Sequence, residues 1–117
     1  SRAALTAFAI AALGLACDFA GESIFIGWIP RPDTSLYRAA SLLTAAAGNG
    51  LYTVAAIILT LATPGLPFRA VAWLAWASGI ALTILAILDI SIGVVIASGV
   101  LMMLFIPWVV AVGVQWR

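Results

Sequence analysis

Apolar residues fill this chain in long runs without the alternation that marks a half-buried strand, and polar residues gather in a few short clusters between them. The first run begins near Ala3 and continues to Trp28. It meets Pro30-Arg31-Pro32-Asp33-Thr34, where two prolines and two charges end a helix and solvate a turn. A second run starts near Ser35, with Thr34 or Ser35 suited to cap it, and reaches Leu61 before Thr63-Pro64-Gly65-Leu66-Pro67 interrupts. Pro67 fits the first turn of a third helix, where its missing N–H would be unpaired anyway. From Phe68 onward only Asp89 and Ser91 punctuate a stretch far longer than the about 20 residues that one crossing of a bilayer needs. A tight turn is therefore predicted there, with Asp89 or Ser91 capping a fourth helix.

The pattern predicts an all-α integral membrane protein: one domain, 1–117, of four transmembrane helices over about 3–29, 35–62, 67–88 and 91–114. Short loops make consecutive helices antiparallel neighbours, giving an up-down-up-down bundle with both termini on one side. Pro107 should kink the fourth helix and free a carbonyl near Met103. Composition agrees, because a chain of 117 residues that is 66% hydrophobic and 8% charged has too few polar groups to coat a soluble globule. Its mean hydropathy is +1.26.

Charge narrows the partners. Five arginines and four acids give a net charge of +1, which supplies neither a basic surface for nucleic acid nor a polybasic segment for anionic lipid. Arg2, Arg69 and Arg117 fall on the side of the termini and Arg31 and Arg38 on the other, a slight bias toward cytoplasmic termini. No histidine is present and Cys17 is the lone cysteine, so neither metal nor cofactor is expected. Cys17 itself reads as a small core hydrophobe. Opening at Ser1 without a methionine, the chain reads as a processed or partial sequence.

Small residues recur at packing spacing: Ala12, Ala16 and Ala20; Ala46 and Gly50; Ala75 and Gly79; Gly93 and Ala97. They predict close helix approach. Trp28, Trp73, Trp108 and Trp116 fall near helix ends, as interfacial anchors would.

The groups that are costly inside an apolar run are Asp18 and Glu22 in the first helix and Arg38 and Asn49 in the second. Asp18 and Glu22 are four apart, which puts both carboxylates on one face about 6 Å apart along the axis. Measured from loop one at 1.5 Å per residue, Glu22 lies about 10 Å and Arg38 about 5 Å below the same helix ends, so a structural Glu22–Arg38 ion pair is expected. Asp18 lies about 16 Å in and Asn49 about 21 Å, with Tyr52 one turn on, so Asn49 and Tyr52 are expected to hydrogen-bond it. Asp18, Glu22, Asn49 and Tyr52 form the candidate ligand site; no catalytic residue is assigned. Asp18 also has a purely structural reading, as an acid hydrogen-bonded within the helices.

In size, four-helix layout, short loops and a first-helix acid, the chain resembles the small multidrug resistance transporters, which work as dimers through a helix-one glutamate. The likeness covers layout alone: Glu22 stands near the far end of its helix, and that family's surrounding motif is absent. The Gly-rich and Phe-rich signatures of the four-helix fluoride channels are absent too. Three functions follow in order. The first is binding or transport of a cation, proton or small amphipathic molecule at an acidic site within the bundle. The second is a non-catalytic structural or regulatory subunit of a larger membrane complex, or a homo-oligomer. The third is a membrane isomerase or cyclase on an apolar substrate, with Asp18 as acid and Glu22 as electrostatic partner.

Overall fold

The computed structural model describes residues 1–115 and is all helix, so the predicted roles of Trp116 and Arg117 fall outside it. Four helices, α1 (Arg2–Trp28), α2 (Ser35–Ala62), α3 (Arg69–Ile87) and α4 (Ser91–Gln115), are each long and apolar enough to cross a membrane. The fold measures 45 × 28 × 24 Å.

Local chemistry sets the helix ends. The Ser1 hydroxyl accepts from the Ala4 N–H and starts α1; the Thr34 hydroxyl accepts from Tyr37 and starts α2, as expected. The third helix begins later than Pro67 suggests. Phe68 adopts a left-handed φ of 53°, and helical geometry starts at Arg69, leaving Pro67 in the preceding turn. Asp89 does not cap α4. It sits at φ 58° just past α3, its N–H donating to the Ala86 carbonyl while Ile90 donates to Leu85, the paired bonds that close a helix C-terminus. An aspartate thus occupies a left-handed position usually given to glycine, and Ile90 opens α4 by accepting from Val94. Pro107 lies inside the continuous α4.

Packing follows chain order. α1 lies along α2, α2 along α3 and α3 along α4, whereas α1 makes at most marginal contact with α3 and α4 among the described residues. The core is centred on α3 and α4, where Ala72, Ala75, Trp76 and Leu82 meet Ala97 and Leu101. In the most apolar stretch of α3, 33% of residues are buried, against 11% in α1 and α4, so α3 is the central helix. Ala75, Gly79 and Ala97 are buried and Gly93 packs on Leu85, in line with their spacing. Ala12, Ala16 and Ala20 are instead exposed. α1 packs through Ala7, Gly14 and Gly21, a seven-residue repeat whose two glycines bring the backbones closer than alanine allows. Trp108 is no lone anchor either: it packs edge-on against Trp76, with ring centres 5.6 Å apart, and donates to the Pro67 carbonyl.

α2 is interrupted by a π-helical segment, Leu42–Gly48. Its wider turns break the regular α-helical hydrogen-bond pattern and leave carbonyls in need of other donors. The Thr44 hydroxyl answers by donating toward both Ala40 and Ser41 carbonyls, at 3.2 and 3.3 Å.

The α1–α2 crossing predicts a sharp difference between two glycines. A Cβ on Gly21 would stand 2.5 Å from Thr44 Cγ2 and 2.8 Å from the Ala40 carbonyl oxygen, whereas one on Gly99 would meet nothing within 4 Å. Gly21→Ala is expected to lose about 1–3 kcal/mol through overpacking. Gly99→Ala should stay within about 1 kcal/mol, toward gain, because alanine is the better helix former. Denaturant unfolding in detergent micelles measures both.

Candidate functional site

The predicted site residues divide between two helix interfaces. Gly48 turns its backbone to α1, where it stands against Asp18 and Gly14; Asn49, the next residue and about 100° further round, turns to α3. The expected Asn49–Asp18 hydrogen bond therefore does not form. Asn49 Nδ2 instead donates to the Gly79 carbonyl at 2.8 Å and to Thr83 Oγ1 at 2.9 Å. Tyr52 does reach Asp18: its hydroxyl donates to Oδ2 at 3.4 Å, well beyond the roughly 2.7–2.8 Å of a strong O–H···O bond. Asp18 is half-buried and Glu22 exposed.

Arg38 corrects the other expectation. It does not pair with Glu22 but reaches across to the end of α3, donating through Nη1 to the Ala86 carbonyl and through Nη2 to Ile87, both at 2.6 Å. Asp89 Oδ1 stands 3.3 Å from the same Nη1. The physical reason is the acceptor set: the last turn of a helix exposes unpaired carbonyls with partial negative charge, and with Asp89 these offer the guanidinium more than a single exposed carboxylate does. Arg69 mirrors this at the opposite end of the pair. Standing at the start of α3, it donates to the Thr60 and Thr63 carbonyls at the end of α2, both at 2.7 Å.

Between the two arginines, polar groups meet at intermediate levels. Trp76 Nε1 donates to Thr60 Oγ1 at 2.9 Å, and Thr60 in turn donates to Ala56. Thr53 is buried at the surface Gly79 leaves open, and a Cβ on Gly79 would stand 2.5 Å from its hydroxyl. α2 and α3 are thus joined by a ladder of Arg69, Trp76–Thr60, Asn49 and Arg38. Thr53, Thr60, Thr83 and Trp76 are not singled out from the sequence, and Asp89 stands there only as a turn residue and helix cap. A signal existed, since Asn49, Thr53 and Thr60 recur at spacings of four and seven on one helix face.

Two recesses open on the surface. A polar one of about 310 Å³ lies at the loop-one end, lined by Asp33, Ser35, Tyr37, Arg38, Ser41 and Asp89. An apolar one of about 440 Å³ lies between α2 and α3, with Ala47, Gly50, Val54 and Ile57 facing Ile80 and Ile84. Neither contains Asp18, Glu22, Asn49 or Tyr52. Among the described residues, no three His, Cys, Asp or Glu side chains converge as metal ligands would. Compared with family models, characterised proteins and solved structures, the chain matches none.

The Arg38 geometry is tested by double-mutant cycles on unfolding in micelles. Arg38→Met should lose about 1.5–3 kcal/mol, the range for hydrogen bonds made by a charged group. Its coupling with Asp89→Asn should exceed about 0.5 kcal/mol, while that with Glu22→Gln should stay below that size. The reverse ranking would restore the Glu22–Arg38 pair.

Proposed function

We propose that this chain is a four-span integral membrane protein acting as a non-catalytic structural or regulatory subunit of a larger membrane complex, docked laterally through the acidic face of α1. Four helices of sufficient length and apolarity support the membrane reading. The order of contacts supports an up-down arrangement. Phe25 meets Tyr37 while Asp18 meets Tyr52 further along; Arg38 meets Ala86 while Thr60 meets Trp76; Trp76 meets Phe105 while Gly93 meets Leu85. Each pair of ladders runs oppositely in sequence, as antiparallel neighbours do. Both termini then share one side, and the arginine bias favours the cytoplasm.

The observation that carries the proposal is the exposure of Glu22 beside half-buried Asp18 on an apolar helix. Counted back from Trp28, Glu22 lies about 9 Å and Asp18 about 15 Å inside the helix end. A charged side chain at the centre of a spanning helix costs about 2.5–3.5 kcal/mol on insertion scales unless a partner meets it. Among the described residues α1 packs substantially on α2 alone, so its remaining surface is open to such a partner. A cation or amphipathic molecule held inside the bundle needs a chamber at Asp18, and neither of the two recesses is lined by that residue. The isomerase reading needs the same chamber. Both have less support than lateral docking.

A photoreactive amino acid at Leu15, which is exposed and seven residues before Glu22 on the same face, tests the reading in native membranes. Discrete protein adducts are expected there and not from Val110 on α4. Lipid adducts alone at both positions would contradict it.

A further inference from the structure

We infer that the acidic face of α1 receives a transmembrane helix of another protein carrying a lysine or arginine at mid-membrane level; this rests on the assembly reading above. Two independent features specify the occupant, one its charge and the other its shape.

Charge comes from the bookkeeping of arginines. Arg38–Asp89 is the one ion pair among the described residues, so within these Asp18 and Glu22 have no cationic partner. The arginines at helix level are already engaged, Arg38 by the end of α3 and Arg69 by the end of α2. Arg2 begins α1 and Arg31 lies in loop one, so a second copy in either orientation brings these to the membrane surfaces rather than to Asp18, about 15 Å inside. None of the four described arginines is placed to meet Asp18, so the complementary charge is a basic side chain on a different helix. Its apolar stem suits the surroundings, and its ammonium or guanidinium would complete charge-assisted hydrogen bonds to the two carboxylates.

Shape comes from register. Ala11, Leu15, Asp18 and Glu22 follow spacings of four, three and four, the repeat along which one helix lies against another. Ala11 and Asp18 are half-buried and Leu15 and Glu22 exposed, so the seam borders α2 and faces outward. A seam of this kind fits a rod better than a compact ligand.

The test uses full-length protein in phosphatidylcholine vesicles, with a donor fluorophore on the chain and an acceptor on synthetic Leu/Ala helices of about 20 residues. One peptide has a central lysine and the other a central leucine; a central residue lies about 15 Å from either end, so it meets Asp18 whichever way the peptide inserts. The lysine peptide should associate about tenfold more tightly, equivalent to about 1.4 kcal/mol. That advantage should vanish in the D18N/E22Q variant, and in E22Q alone it should fall, which keeps the test valid if D18N disturbs folding.

Equal association of the two peptides, or an advantage that survives D18N/E22Q, would overturn the inference. So would displacement of the lysine peptide by millimolar hexylammonium binding at the same carboxylates, which would make the face a small-amine site. Protein adducts at Leu15 without a lysine preference would remove the basic partner and leave the assembly reading; absence of both would remove the assembly reading as well.

Discussion

The last turn of a helix leaves carbonyls without backbone partners, and the fold depends on how α2 and α3 meet that need for each other. Arg38, near the start of α2, covers the end of α3; Arg69, at the start of α3, covers the end of α2. The exchange fixes the two helices at both ends of their contact. Asn49 ties them between, through Gly79 and Thr83, and the Trp76–Thr60 bond joins the same seam nearer Arg69. With the axial register set in this way, α3 offers Ala72, Ala75, Trp76 and Leu82 to α4, and the Trp76–Phe105–Trp108 cluster fills their shared side.

α1 is held differently. It meets α2 through glycines, with Gly14 and Gly21 against the π-helical segment and its flanks, and has no comparable polar ladder. Close backbone contact gives dispersion and shape without specifying a second neighbour. The consequence for function is that the acids of α1 are left at the border of the contact. Arg38 and Arg69 serve backbone carbonyls and Asp89, so neither is directed to the acids of α1.

The number of helices, their approximate ends and their apolar character were legible because the prolines and charges of loops one and two interrupt otherwise continuous apolar runs. Asp18 with Tyr52 was legible as well, since depth along a hairpin follows from counting. Rotation about the helix axis was not. α1 is apolar on nearly every side, so nothing in it phases the alanines at 12, 16 and 20 against the seven-residue repeat of Ala7, Gly14 and Gly21 that packs. In α2 the π turns shift the phase between Ser35–Ser41 and Asn49–Ala62, so the α-helical period does not carry from Arg38 to Asn49. Depth alone favours Glu22 as partner of Arg38, whereas the competing attraction of the α3 C-terminus depends on a packing that spacing does not specify. At Asp89 the left-handed turn chemistry outweighed its suitability as a helix cap.

The claim that the rest depends on is that α1 leaves Asp18 at the border of its contact with α2 and turns Glu22 away from the chain's own helices, at a level within the membrane. A spin label at Glu22→Cys, in protein with Cys17→Ala and reconstituted alone in phosphatidylcholine bilayers, measures this directly. The account predicts a mobile label that collides readily with dissolved oxygen and poorly with a water-soluble nickel complex. An immobilised label shielded from both would mean that α1 buries this face within its own fold, and a label open to the nickel complex would place it in water; either result contradicts the account.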